Sequence, residues 1–267
     1  MSCSLELGSL LRQSRNGIKM PISPDALPVV RPVKTRNTPE LGPVSVMAAT
    51  APDYQLLKGL MGFEDQGSRH LYTANLAVGS GETAGMSLCG PFIGAPYGVM
   101  ILETLIAWGV TRVVFMGWCG AISQNVHIGD MIVPNGAMVN EGTSLHYLQK
   151  TMDVVPPSNI ILQETRQTIE SAQMTYHEGL VWTTDAAFRE TREAVVSFQQ
   201  KGVLAVEMEL SALLSVGLFH DVDVSALLVV SDELSSLTWK SAFKSERFKQ
   251  GRRDAAGIVK KLCEGLI

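Results

Sequence analysis

Two glutamates separated by one methionine, Glu207-Met208-Glu209, stand where an apolar run gives way to a helical stretch. Carboxylates among apolar neighbours are costly to bury unless something pairs with them, and a ligand bearing hydroxyls is one such partner. Alternatively, one of them caps the helix and the other is solvated. Asp232 follows the run Val229-Val230-Ser231, a position that suits a general acid and equally a helix N-cap. Gly117-Trp118-Cys119-Gly120-Ala121 spaces its glycines so that backbone N–H groups can approach an anion or a sugar, although a tight turn needs the same glycines. In Thr183-Thr184-Asp185-Ala186-Ala187-Phe188-Arg189, Asp185 reads as a cap, and Phe188 as core or as a stacking platform for a flat ring. The loop Cys89-Gly90-Pro91-Phe92-Ile93-Gly94 leads into a helix whose first N–H groups favour negative charge. It lacks the dinucleotide glycine spacing, which argues against a nicotinamide cofactor. The histidines show no helical metal pairing, and no metal is expected.

These residues sit at the junctions between β-branched runs and amphipathic ones. The pattern predicts strands over 44–49, 86–90, 112–117, 130–134, 179–184, 203–207 and 224–231. It predicts helices over 53–62, 95–108, 158–174, 188–200, 209–220 and 251–266. Strands alternating with helices imply an α/β fold with a largely parallel sheet covered on both faces, because parallel neighbours need crossover connections. Ligands of such sheets bind beyond the carboxyl ends of the strands, where the candidate residues fall. Residues 1–43 carry Pro21, Pro24, Pro28, Pro32, Pro39 and Pro43 with no apolar periodicity, which predicts an extended arm ahead of a domain over 44–267.

At 46% hydrophobic and 18% charged residues, the 267-residue chain can bury a substantial core, and intrinsic disorder is excluded for most of its length. A net charge of −4 lacks the basic surplus of proteins that grip nucleic acid, so no nucleic-acid partner is expected. The longest apolar stretch, around Val203–Phe219, is broken by Glu207 and Glu209, so no membrane span is expected. The N-terminus does not read as a signal peptide, and Cys3, Cys89, Cys119 and Cys263 have no CxxC spacing. Buried thiols and a cytoplasmic location are the expectation.

From about residue 44 onward the chain resembles the nucleoside phosphorylase family, which includes purine nucleoside and uridine phosphorylases and related nucleosidases. Four ordered segments carry the resemblance: Gly117-Trp118-Cys119-Gly120-Ala121 with Ile128-Gly129-Asp130; Glu141-Gly142-Thr143-Ser144 with His146-Tyr147; Thr183-Thr184-Asp185-Ala186 to Arg192; and Val206-Glu207-Met208-Glu209 with Ser231-Asp232. The resemblance implies a three-layer α/β/α sandwich around a mixed, largely parallel sheet, and a homo-oligomer, dimer or hexamer. It also implies a role in nucleotide salvage: a pentosyltransferase that cleaves the bond between ribose C1′ and the base of a purine or pyrimidine nucleoside. Inorganic phosphate is the attacking co-substrate in phosphorylases and water in nucleosidases, with no organic cofactor. By position, the resemblance assigns Glu209 to the ribose hydroxyls, Met208 to packing on the sugar, Glu207 to shaping the pocket or activating water, and Asp232 to the departing base. Thr184, Phe188 and Arg189 would lie near that base, with Ala187 where many members place a stacking aromatic.

The resemblance breaks at the phosphate site. Phe115 stands where the family has an arginine, Trp118 where it has a hydroxyl beside Gly117, and Thr50-Ala51-Pro52-Asp53-Tyr54 where an earlier loop carries Gly and Arg. Phosphorolysis is the family default; hydrolysis in a smaller, drier nucleophile pocket and non-catalytic nucleoside binding are the alternatives. Rescue of phosphate binding would require a cation from elsewhere, such as Arg36, Arg69, Lys240, Arg247 or a residue of a neighbouring subunit.

Overall fold

The computed structural model describes residues 28–63, 69–148 and 152–267. In chain order its strands are β1 (Val44–Ala48), β2 (Arg69–Leu71), β3 (Ala74–Val78), β4 (Met86–Gly90), β5 (Arg112–Ala121), β6 (Met131–Asn140), β7 (Val154–Val155), β8 (His177–Thr184), β9 (Ala205–Glu207), β10 (Asp223–Glu233) and β11 (Lys240–Ser241). The helices are α1 (Ala51–Met61), α2 (Ala95–Ala107), α3 (Asn159–Ser171), α4 (Arg192–Gln200), α5 (Leu210–His220) and α6 (Glu246–Leu266).

Strand β1 is buried along its whole length because it lies parallel between β4 and β5. Beyond β5 the sheet closes on itself: β5 pairs with β10, β10 with β6, β6 with β8, β8 with β9, and β9 returns to β5. The β5–β10, β6–β8 and β8–β9 pairs are parallel, while β10–β6 and β5–β9 are antiparallel, so the sheet is mixed as expected. Helices α2 and α5 pack together on one face, and α1, α3 and α6 on the other. Leu102, Leu105 and Leu213 anchor the first layer, and Leu57, Phe248 and Val259 the second. Each such side chain, fully buried, contributes roughly 1.5–3 kcal/mol. No helix among the described residues is long and apolar enough to cross a membrane.

Every strand and helix expected from the sequence has a counterpart, and the differences have physical causes. Strand β5 runs on to Ala121 because Gly120 and Ala121 pair with β9 and β10 at once. The helix expected from residue 188 starts only at Arg192, where the Thr191 hydroxyl accepts from the Ala194 amide at 3.2 Å; a 3-10 turn, Ala187–Arg189, precedes it. Helix α6 starts earlier than expected, at Glu246, because Ser245 caps it by accepting from the Phe248 amide at 3.2 Å. Most of the expected arm, residues 1–27, lies outside the described residues. The compact body begins at Val33, before the Pro43 boundary, and Leu41 is already buried in its core.

Candidate active site

Glu207 ends β9 and Glu209 stands at the N-cap position of α5. The Glu207 carboxylate accepts from the backbone amides of Glu209 (2.8 Å) and Leu210 (2.7 Å), and also from the Thr183 hydroxyl. It therefore closes the first turn of α5 as a capping side chain would, with all of these partners supplied by the chain. Glu209 is turned elsewhere: its Oε1 accepts from the Gly94 amide at 2.6 Å. Gly94 holds φ +82°, a left-handed conformation that favours glycine, and this aims its N–H at the carboxylate just before α2 begins. Both carboxylates are almost fully buried. Burial pushes both above the ordinary glutamate range, and for Glu207 the neighbouring Glu209 charge adds to it. Met208, half-buried, lies between them.

Across the sheet, Gly120 is in register with Val206 on one side and Asp232 on the other, so Asp232 and the residue just before Glu207 flank one glycine on adjacent strands. A β-bulge between Val230 and Asp232 re-aims the acid. Asp232 Oδ1 accepts from the Ser231 hydroxyl at 2.6 Å, and Oδ2 from the Trp239 indole N–H at 2.7 Å. Any side chain at Gly120 would meet Asp232 Oδ2 and Leu234. Cys119 is buried beside this glycine, and its thiol is pushed well above its usual value by burial and by the Asp232 and Glu207 charges. Sequence reasoning missed a further acid, Glu190: burial, then the charge of Asp232, raise its carboxyl to about 7. The missed Trp239 had no signal, since an exposed aromatic in a loop reads as surface.

The residues assigned to the nucleophile pocket do not line one pocket. Phe115 is fully buried on the α2/α5 face, against Phe92 at 5.7 Å between ring centroids. Gly117 makes room for that ring: a Cβ there would lie 2.6 Å from the Phe115 ζ carbon. Trp118 points to the opposite face, among α1 and α6, because successive strand residues alternate. Its ring stacks on Phe243 at 5.9 Å and meets Phe248 edge-on at 4.9 Å. Its indole N–H donates to Asp53 Oδ2 at 2.5 Å. Arg252 of α6 closes the cluster, its Nε 2.6 Å from Asp53 Oδ1 and its guanidinium 5.4 Å from the Trp118 ring centroid. Thus two of the three places read from the sequence as departures from the family, Thr50–Tyr54 and Trp118, bond to each other. The cation beside them is Arg252, which is not among those named for rescue of phosphate binding. Arg247 pairs instead with Asp130 at 2.9 Å, and Arg36, Arg69 and Lys240 are exposed.

Of the residues expected near a base, Thr184 is buried at the end of β8, its hydroxyl accepting from the Ala186 amide at 3.2 Å. Asp185 accepts from the Gly142 amide at 2.9 Å and ties that turn to the loop after β6. Glu141 in the same loop is buried and accepts from the Ser144 amide (3.1 Å) and the Ser211 hydroxyl (3.0 Å), which docks the loop on α5. Phe188 and Arg189 are exposed on the 3-10 turn; Phe188 is not a core residue, with its side chain wholly open to solvent.

A family model described as the phosphorylase superfamily matches residues 43–264. Among curated proteins, the chain is 27% identical over 169 residues to the guanosine phosphorylase of Halorubrum lacusprofundi, covering 63% of this chain and 70% of that protein. It is 30% identical over 199 residues to the DeoD-type purine nucleoside phosphorylase of Mycoplasma genitalium, covering 71% and 80%. Two solved structures share the fold. The Vibrio fischeri uridine phosphorylase gives a TM-score of 0.72 at 22% identity over 84% of this chain and 92% of that one. The Toxoplasma gondii purine nucleoside phosphorylase, in complex with immucillin-H, gives 0.73 at 15% identity over 85% and 92%.

Proposed function

The chain belongs to the phosphorylase superfamily, and from that premise we propose that it cleaves the N-glycosidic bond of a purine nucleoside. One arrangement carries the proposal: Val206, just before Glu207, and Asp232 flank Gly120 on adjacent strands, while Glu209 starts the helix that follows and holds its carboxylate on the Gly94 amide, apart from the turn that Glu207 closes. A buried carboxylate such as Glu209 is stabilised when neutral or when donors reach it. The hydroxyls of a ribose supply two such donors on adjacent carbons, and the apolar flank of Met208 suits the sugar ring. Glu207 acts as a positioning residue, since its bond to the Glu209 amide fixes the turn from which Glu209 reaches out. As the C1′–N bond lengthens, positive charge grows on the sugar beside these carboxylates and negative charge on the base. Asp232 stabilises the departing base by a hydrogen bond or proton at a ring nitrogen, a role suited to purines, whose second ring offers such an acceptor. Thr184 and the Phe188–Arg189 turn belong to the base side of this reading.

The names of the relatives support purine over pyrimidine, since guanosine and purine nucleoside phosphorylases are among them. The test is a panel of purine and pyrimidine nucleosides incubated with the pure protein, with free base quantified by chromatography. Release of purine bases is expected, and the reading fails if no base is released from any member.

A further inference from the structure

Asp53 is completely buried in the first turn of α1, beside the end of β5. A buried carboxylate needs both a counter-charge and hydrogen bonds, and Asp53 has them: Arg252 Nε on Oδ1 at 2.6 Å, and Trp118 Nε1 at 2.5 Å and the Thr50 hydroxyl at 2.9 Å on Oδ2. The Arg252 side chain is itself 14% exposed, so this charge pair is shielded from water. Trp118 is locked in place between Phe243 and Phe248. Three donors of the kind that cradle an oxyanion, a guanidinium, an indole N–H and a hydroxyl, converge on one point, and the chain has placed its own anion there. A second anion arriving beside Trp118 would meet a carboxylate of like charge whose cation is already neutralised, an arrangement that rejects it.

We propose that Asp53 is a resident anion that takes the place of inorganic phosphate, so that water attacks the sugar. This deepens the glycosidic reading above and rests on it. The water oxygen forms the bond to C1′ as the C1′–N bond breaks, and the electron pair leaves with the base. Overall, one proton moves from the water to the base nitrogen, the products are ribose and free base, and no other reactant is consumed. Arg252 is a positioning residue here, since it acts through Asp53.

The wild-type protein, incubated with a purine nucleoside in phosphate-free buffer and again with millimolar phosphate, tests the reaction when the sugar product is identified by mass spectrometry. Equal base release with free ribose in both conditions is expected; release only with phosphate, yielding ribose 1-phosphate, overturns the proposal. Absence of release in both conditions defeats the glycosidic reading instead and leaves the resident anion to calorimetry. Phosphate titrated into wild-type protein is expected to show no saturable binding, and saturable binding overturns the proposal without any variant. In Asp53→Ala the vacated cradle should bind phosphate saturably, with a Kd on the order of a hundredfold below the highest phosphate concentration at which wild type shows none. That gain should vanish when Arg252→Gln is added, and the milder Asp53→Asn serves if Asp53→Ala does not fold. A folded Asp53 variant that gains no phosphate binding also overturns the proposal.

Discussion

The backbone amide of Glu209 donates to the carboxylate of Glu207 at 2.8 Å, which makes the two acids one unit in which the first holds the second in place. The division of labour follows from their partners. Glu207 has its oxygens engaged by two amides of the α5 start and the Thr183 hydroxyl, whereas Glu209 reaches the Gly94 amide.

Removing Glu209, whose carboxylate takes no part in closing the first turn of α5, should therefore affect ligand more than fold. Glu209→Ala is expected to lower ribonucleoside affinity by roughly a hundredfold or more, the loss of charged hydrogen bonds to two hydroxyls. Titration calorimetry with a ribonucleoside and its 2′,3′-dideoxy counterpart checks this; unchanged ribonucleoside affinity would remove Glu209 from the sugar site. Glu207→Ala should instead lower stability by about 1–3 kcal/mol, because it leaves buried amides at the start of α5 unsatisfied. Urea denaturation measures that loss.

The same pair makes stability depend on pH. Both carboxyls titrate above the ordinary glutamate value of 4.5, chiefly because burial penalises the charged form. The folded chain thus holds these protons more tightly than the unfolded chain, and their contribution to stability is complete below that ordinary value and lost as pH rises toward and through the raised ones. Asp130, Glu103 and Glu178 titrate below their usual values and work in the opposite direction. The comparison is therefore between wild type and Glu209→Gln, whose melting temperatures should diverge between mildly acidic and neutral pH, the variant losing less. Parallel curves would contradict the assignment.

Asp232→Asn keeps the size of the side chain and its contacts with Ser231 and Trp239 within reach, but cannot donate a proton in the same way. Purine nucleoside cleavage should slow by roughly two to four orders of magnitude, the usual range for a lost general acid. Pyrimidine nucleosides should slow much less. Steady-state rates on both classes decide it, and equal slowing would argue against a role at the base.

Gly251 lies so close to the loop before β6 that an added Cβ would stand 2.2 Å from the Gly129 carbonyl oxygen, a backbone atom that cannot step aside. Gly251→Ala should cost about 1–3 kcal/mol or more through overpacking. Because it pushes α6 outward next to Arg252, it should also loosen the pair with Asp53. Thermal unfolding measures the first effect, and Trp118 fluorescence the second.

Much of this was legible in the sequence for a definite reason: β-branched runs alternating with amphipathic ones specify an α/β sheet, and such sheets expose the residues just after their strands. Glu207, Glu209 and Asp232 were singled out in that way, from type and position, while their roles came only with the resemblance. Local sequence could not say which glutamate faces inward, because that depends on which one reaches the amides of α5 and which one meets Gly94, far away in the chain. Nor could it place Phe115 and Trp118 on opposite faces of β5 in contact with different helices. The pairing of Asp53 with Arg252 spans 199 positions, and beside it Gly251 lets α6 settle against the Gly129 backbone. Sequence periodicity determined which elements form and which of their ends could carry chemistry. Tertiary packing decided which charges meet there, since a charge partner is chosen by approach in space and leaves no periodic trace along the chain.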